Sequence, residues 1–580
     1  MSKSLDTLTS TTSPSPINKL VATHAYKDAE TGATIIEDSE ASFSQVKVPL
    51  SRSQFIAVYI GLLLAIMLAA LDQTIVSTAL RAIVTEFGKQ ELVPWIGSSF
   101  LLTAAPLGTL YGKFADIWGR KPVFIFAIVV FELGSLLCGA ATSMEFLIVG
   151  RAIAGVGGGG IFALVLIILS DIVSIQDRGK YQGAIGAIFG LSSVIAPLLG
   201  GAFSDHVSWR WCFYINLPLG AITLATVAFL RFPAVEGTIR EKIARIDGYG
   251  ACLLFASIIC LVTPLQLGGS IWEWASAQVI IMFILSIIFG AAFVYVELYI
   301  AKEPIIPPQI FINSSVPALL GVGLCLGAGF LSCAYYISLF FQVVFEESAT
   351  AAGLELIPLV FGLVITSISS GVLTSKFGRY QPFFFVGPVV MIFGTVLVSG
   401  FDGNSSLVER VFFLIIFGLG VGCLMQMRVI AMQASVPHEM IAIATALIQT
   451  CNTLGGAIGV AITGSIFNNL IVSNTANASE LQLVVQQLNS HGIPAQTSEV
   501  LQLLGIFETA GIYYPRNDTA AAAVYNATLV MAQRQLIDGF NGAFRTAYLS
   551  ALPYPVIILL LAFFIKQYQM KAGGPGVANH

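Results

Sequence analysis

The chain has 580 residues, of which 56% are hydrophobic and 10% charged, with a formal net charge of -4 and a mean hydropathy of +0.84. A soluble domain carries about 25% charged residues, and long soluble chains divide into domains with charged surfaces, so a water-soluble protein is excluded. No basic patch with interleaved aromatics occurs, which excludes nucleic acid as a partner.

The first 50 residues are rich in Ser, Thr and acids and lack an apolar core segment. They read as a disordered tail and not as a cleavable signal peptide. Beyond them, apolar runs long enough for a bilayer core of about 30 Å recur along the chain. The predicted spans are 55–79, 92–112, 122–141, 145–169, 183–203, 211–231, 248–267 and 277–298, then 315–343, 353–374, 381–400, 410–433, 442–466 and 543–566. Fourteen spans put both termini on one side. With that side cytoplasmic, the inner loops hold most Lys and Arg, including Lys113, Arg120, Lys121, Arg178, Lys180, Arg240, Lys376 and Arg379. The short outer loops hold only Arg81, Lys89, Arg210 and Arg410. This asymmetry satisfies the positive-inside rule.

The turn Gly112-Lys-Phe-Ala-Asp-Ile-Trp-Gly-Arg-Lys-Pro122 has a shortened echo in Lys376-Phe-Gly-Arg-Tyr-Gln-Pro382. The repeat predicts two homologous six-helix halves about a pseudo-symmetric midplane site. The expected division is a cytoplasmic tail at 1–53, an N-terminal half at 54–231, and an inserted helix pair with linkers at 232–314. A C-terminal half follows at 315–566, with a long outer loop at about 467–542, and a second cytoplasmic tail at 567–580. The outer segments contain the glycosylation acceptors Asn404, Asn477, Asn517 and Asn526, which fit a secretory-pathway membrane.

Four ionisable residues interrupt the apolar spans: Asp72, Glu132, Arg151 and Arg428. Such groups are costly in hydrocarbon, usually face the bundle interior, and mark proton or substrate pathways. Asp72 reads as a proton or substrate group, or else as a structural acid bonding a neighbouring helix. Glu132 is deepest, and reads as a second proton carrier or as a hydrogen-bonding partner of a neighbouring helix. Arg428 is expected to be the one buried cation besides Arg151, either holding an anionic group of the cargo or pairing within the bundle. The run 157–160 is four glycines inside an apolar helix, without the preceding strand or the Gly-Lys-Ser/Thr of a phosphate loop, and predicts close helix packing. The eight cysteines form no CxxC, mostly lie in apolar runs, and the five histidines are scattered, so neither a metal site nor a disulfide framework is expected.

The 112–122 turn resembles the cytoplasmic signature of the major facilitator superfamily, G-x-L-A-D-R-x-G-R-K. Three further segments resemble its fourteen-span drug:proton antiporter branch. Leu71-Asp-Gln-Thr-Ile-Val-Ser-Thr-Ala-Leu80 is similar to the first-helix motif, with Arg81 in place of proline. Leu147-Ile-Val-Gly-Arg-Ala-Ile-Ala-Gly-Val-Gly157 is similar to the fourth-helix motif, with Ala154 in place of glutamine. Gly190-Leu-Ser-Ser-Val-Ile-Ala-Pro-Leu-Leu-Gly-Gly201 is similar to the fifth-helix antiporter motif, with Ala196 in place of glycine. Ser208-Trp-Arg-Trp-Cys-Phe-Tyr-Ile-Asn-Leu-Pro218 and Leu339-Phe-Phe-Gln-Val343 also match, and the long outer loop is most like fungal toxin and multidrug efflux pumps.

The resemblance implies an all-α membrane protein with the major facilitator fold, two six-helix halves plus an inserted helix pair. It implies a monomeric, proton-driven exporter of small hydrophobic or amphipathic compounds at the plasma membrane, without a cofactor. It brings Asp72 and Arg151 together at the central cavity, makes Gly112, Asp116, Gly119, Arg120 and Lys121 the cytoplasmic gate, and gives Gly190, Pro197, Gly200 and Gly201 a packing and bending role. At Arg428 the family often has proline, so no role is implied there. Alternatives are an uptake or vacuolar-membrane permease for siderophores or basic amino acids, and a non-transporting receptor or sensor. An enzyme is not expected, because no nucleophile, metal or nucleotide constellation occurs.

Overall fold

The computed structural model describes residues 51–568 except 90–91, 228–234, 236, 269–271, 346, 348 and 477–538. The two tails, most of the 467–542 loop, and its sequons Asn477, Asn517 and Asn526 lie outside the described residues. What is described is helical nearly throughout, with no strand element. The helices are α1 (Arg52–Phe87), α2 (Val93–Trp118), α3 (Arg120–Gly139), α4 (Met144–Ile172) and α5 (Arg178–His206). They continue with α6 (Trp211–Val227), α7 (Gly248–Leu267), α8 (Ala277–Tyr299), α9 (Ser315–Val344) and α10 (Ala351–Phe377). The last four are α11 (Phe383–Val398), α12 (Leu407–Ala434), α13 (His438–Phe467) and α14 (Gly539–Phe564).

Each predicted span therefore coincides with a helix, but among the described residues 11 are long and apolar enough to cross a membrane. The helices α6 and α11 are apolar but shorter. The remaining helix, α2, carries Ser98, Ser99, Thr103, Pro106 and Thr109 because it packs against α4, α7 and α13 and shows little of itself to lipid. Hydrocarbon offers no partner to the free N–H groups of a helix start, so side chains supply them. Ser51 with Gln54 and Ser406 with Glu409 form reciprocal capping boxes on α1 and α12, and Ser143 caps α4.

Without a hydrophobic force between helices in lipid, close backbone approach through small residues holds the bundle together. The glycines of α4 show it. A Cβ on Gly155 or Gly159 would meet the carbonyls of Phe100 and Ala104 on α2, and one on Gly157 would meet the Ala127 carbonyl and the Phe131 backbone on α3. The same device recurs in the second half. Gly418 and Gly422 of α12 press on the carbonyls of Leu359 and Leu363 in α10, while Gly420 presses on Met391 in α11. This alternation of faces at a two-residue spacing is a stronger internal echo than the two basic turns, and it explains the glycine run as packing.

The halves meet along α5 with α10 and α2 with α13. Toward the Lys/Arg-rich face these seams are closed. Backbone touches backbone at Gly179 and Gly371, and Gly112 abuts Ala442 and Ala446. Thr109 bonds Thr450 at 2.8 Å, and the Lys180 amide donates to Ser375 at 3.2 Å. Gln433 accepts from Arg178 at 3.4 Å and Gln182 at 3.2 Å while donating to Thr445 at 3.1 Å. The helix α7 lies against α2 and α13, and α8 joins it through reciprocal Ser257 and Ser286 bonds of 3.0 and 2.9 Å. The outer face of α8, with Ile280, Ile284 and Ile287 exposed, is apolar enough to meet lipid.

Candidate functional site

Asp72 of α1 and Arg151 of α4 form a buried ion pair at 2.5 Å, with side chains 0% and 2% exposed. A buried charge persists only if it is paired and hydrogen-bonded. Here both partners are. The second carboxylate oxygen of Asp72 accepts from Asn216 of α6 at 3.1 Å, and Asn216 also donates to Ser135 of α3 at 3.1 Å. The Arg151 Nε donates to the Ile96 carbonyl at 3.2 Å, and its guanidinium lies 4.6 Å from the Phe100 ring centre and 5.9 Å from that of Phe213. Four helices of the first half thus converge on one carboxylate.

Glu132 lies one turn along α3 from Ser135, on the side of the basic face. Its two oxygens are buried and have no hydrogen-bond partner. Gly220 of α6, one turn from Asn216, leaves the space the carboxyl occupies, since a Cβ there would meet it. Among the described residues Glu132 makes no bond to a neighbouring helix, and the adjoining position on α6 is a glycine without a side chain. An ionised carboxylate in that setting would bear its full desolvation cost, so the site suits a group that holds a proton.

At the basic face, Arg120 bridges two acids, reaching Asp116 at 2.7 Å and Asp171 of α4 at 2.9 Å, and donates to the Ala115 carbonyl at 2.9 Å. Gly119 makes this possible: its φ of 95° turns the chain from α2 into α3 in a region side chains rarely adopt. Lys113 pairs with Glu303 at 3.1 Å, and Glu303 also binds Arg245 at 2.9 Å, so the C-terminal part of α2 is tied to the linkers around α7 and α8. Arg245 and Lys113 together hold the Glu303 carboxyl below its ordinary range against the opposing effect of burial. In α5, Gly190 lies against Val360, Leu363 and Val364 of α10, while Gly200 lies against Ile75 and Thr78 of α1. Gly201 is buried, and the side chain of Pro197 lies outside the described residues.

Arg428 is 2% exposed and forms no ion pair among the described residues. Its Nη1 donates to the Ile448 carbonyl at 3.3 Å, and Nη2 donates to Gln449 and Asn452 at 3.2 Å each. It lines a cavity of about 90 Å³, partly open, between the halves. The walls are Phe162, Leu166, Phe189, Phe330, Leu331 and Met425, with Gln73, Gln426, Gln449, Asn452 and Thr453 as the polar patches. A mostly apolar wall with a few placed polar groups suits a hydrophobic or amphipathic organic ligand.

One sequence expectation needs correction. Arg428 and Arg151 are not the only buried cations, because Arg178 at the start of α5 is 5% exposed and held by the Ser170 carbonyl at 2.7 Å. Its place at a predicted loop edge concealed that. Asn216 and Ser135, the remaining members of the Asp72 network, went unassigned. Asn216 stands inside the Ser208–Pro218 motif, where a lone amide in an apolar helix was the available signal. Asn404 lies in an exposed turn, its amide donating to Asp402 at 2.9 Å. No group of three or more His, Cys, Asp or Glu side chains is placed to hold a metal among the described residues.

The family model of the Major Facilitator Superfamily matches residues 62–460. The chain is 38% identical over 72% of its length, and 79% of the relative's, to the MFS-type efflux pump MFS1 of Trichophyton rubrum. It is 35% identical to efflux pump aflT of Aspergillus parasiticus, over 74% of this chain and 84% of that one. Among solved structures, the proton:xylose symporter XylE superposes with a TM-score of 0.52 at 14% identity, covering 73% of this chain and 90% of that one. A bacterial homolog of the human lysosomal transporter Spinster superposes with a TM-score of 0.51 at 15% identity, covering 89% and 98%. On the family match, the long alignments and the shared helical architecture, this chain is a multi-pass membrane protein that belongs to the Major Facilitator Superfamily, a family of transporters and not of enzymes.

Proposed function

We propose that the chain exports small hydrophobic or amphipathic organic molecules, such as toxins, secondary metabolites or drugs, in exchange for protons. The observation that carries the reading is the buried Asp72–Arg151–Asn216–Ser135 network beside the unpartnered carboxyl of Glu132. Protonation of Asp72 would remove the charge that holds Arg151, and the freed guanidinium would disturb the packing of α1 on α4. Glu132, one turn away toward the basic face, is placed to pass a proton between that network and the cytoplasm. The mostly apolar cavity wall supports hydrophobic cargo, and the relatives' names as efflux pumps support the outward direction.

Alternating access follows from the two seams. The contacts around Gly179, Gly371 and Gln433 close the basic face in this state, and Arg120 with Asp116 and Asp171 latches it from within the first half. The chain acts as a monomer in the plasma membrane, with the proton gradient as its energy source and no cofactor. Asn404, Asn477, Asn517 and Asn526 are its outward-facing glycosylation acceptors. An importer of basic amino acids is disfavoured, because no acid lines the cavity.

The test is expression in a pump-deficient host scored against a compound panel, with Asp72→Asn and Glu132→Gln made separately. Export is expected from the wild type, and each variant should lose the part of it that depends on the pH gradient. Failure of the wild type to lower the accumulation of any compound, or unchanged export in both variants, overturns the reading.

A further inference from the structure

Arg151 and Arg428 are both buried arginines of the bundle, but among the described residues only Arg151 of the two has a counter-ion. The neighbours of Arg428 are all neutral acceptors: the Ile448 carbonyl and the amide oxygens of Gln449 and Asn452. Asn452 donates to the Gly323 carbonyl of α9 at 3.1 Å, which fixes its oxygen toward the guanidinium. These three contacts leave the Arg428 Nε buried without a partner, and the Gln426 side-chain oxygen beside it is also buried and unpartnered. The helix is interrupted at Gln426, between Leu407–Met425 and Met427–Ala434, and the break turns both side chains to the cavity. A guanidinium here pays its desolvation cost without the anion that would offset it.

We propose that the missing anion is carried by the cargo, so that the cavity selects an apolar molecule bearing one ionised acidic group, a carboxylate or a phenolate. The acidic group docks against the Arg428 guanidinium from the cavity and displaces a neutral acceptor, while Phe162, Phe189 and Phe330 enclose the hydrophobic body. A planar acid suits the guanidinium fork, and the low-dielectric wall strengthens the contact. This rests on the exporter reading for its biological sense, though the binding step is separable from transport.

The experiment measures equilibrium binding of naphthalene-2-carboxylate and of the neutral naphthalene-2-carboxamide to the purified full chain in lipid nanodiscs. The wild type should favour the carboxylate by about tenfold or more, the range of a charge-assisted hydrogen bond. Arg428→Gln should abolish the preference, and Arg428→Lys should keep part of it. Gln449→Glu is the second arm: it keeps the cation and the shape but supplies an internal anion at the 3.2 Å contact, and should abolish the preference as well. If Arg428→Gln does not fold, Gln449→Glu decides. No carboxylate binding by the wild type, no preference in the wild type, or a preference that survives in Gln449→Glu overturns the proposal. If the preference holds while export fails in cells, the exporter reading falls and the anion site stands.

Discussion

Asp72→Asn perturbs the buried pair most cleanly, because the new side chain has the same shape. Its Oδ1 still accepts from Asn216, so that contact of 3.1 Å survives. Its amide nitrogen now faces Arg151 in place of the oxygen at 2.5 Å, donor against donor. Breaking a buried pair by removing one partner costs about 3–5 kcal/mol. The Ile96 carbonyl and the Phe100 and Phe213 rings contact the guanidinium in both forms and so do not change that difference. Removing the cation alone, by Arg151→Gln, strands the Asp72 carboxylate at similar cost. The double variant buries no charge and should recover most of the loss. The assay is a double-mutant cycle on thermal unfolding of the purified protein. The expected order has both single variants well below the wild type and the double variant above either single. If the double variant melts as low as the sum of the single effects, the two charges are not coupled and the proton-switch reasoning fails.

Two further outcomes test other parts of the structure. Gly157→Leu forces a side chain into the Ala127 carbonyl and the Phe131 backbone, neither of which yields as a flexible side chain would. It should cost more than the roughly 1–3 kcal/mol of ordinary overpacking and abolish monodisperse protein on size-exclusion, whereas a normal elution profile would refute the packing role of the glycine run. On the outer face, Glu86 accepts from Arg210 at 2.8 and 2.9 Å and from Trp209 at 2.7 Å, and these bonds hold its carboxyl below the ordinary range. A lowered folded-state value stabilises the protein fully above the ordinary carboxylate range, and that contribution disappears as pH falls through the lowered value. Glu86→Gln should therefore lower the melting temperature slightly at pH 7, by the under about 1 kcal/mol of an exposed pair, and match the wild type under strong acid. An equal difference at both pH values would refute the pairing.

The positions of the helices were legible in the sequence because a bilayer imposes a local rule: about 20 apolar residues, with polar caps at the ends. That rule locates α1 to α14, and it marks Asp72, Glu132, Arg151 and Arg428 as exceptional without reference to any contact. Its signal is weakest at α2, which packs against α4, α7 and α13. It also misses Arg178, since a cation at a helix start looks solvated until α10 and α12 are seen to pack against that helix.

What a charge does depends on rotation about the helix axis and on which helices touch, and both are set by contacts far apart in the chain. Asp72 and Arg151 are 79 residues apart, and Asn216 completes them from 144 residues away. Their pairing could be expected from the family resemblance, but the absence of a partner for Glu132 could not, because it follows from Gly220 facing it across α6. Nor could the sequence separate the two central arginines. Both are single cations in apolar helices, and only the packing of α12 against α13 gives Arg428 neutral neighbours where Arg151 has an acid. The sequence by itself determined a membrane-spanning transporter of this superfamily, since hydropathy and ordered motifs are local. Tertiary structure decided which charges are satisfied and which await a proton or a ligand, since that is a property of the space between helices.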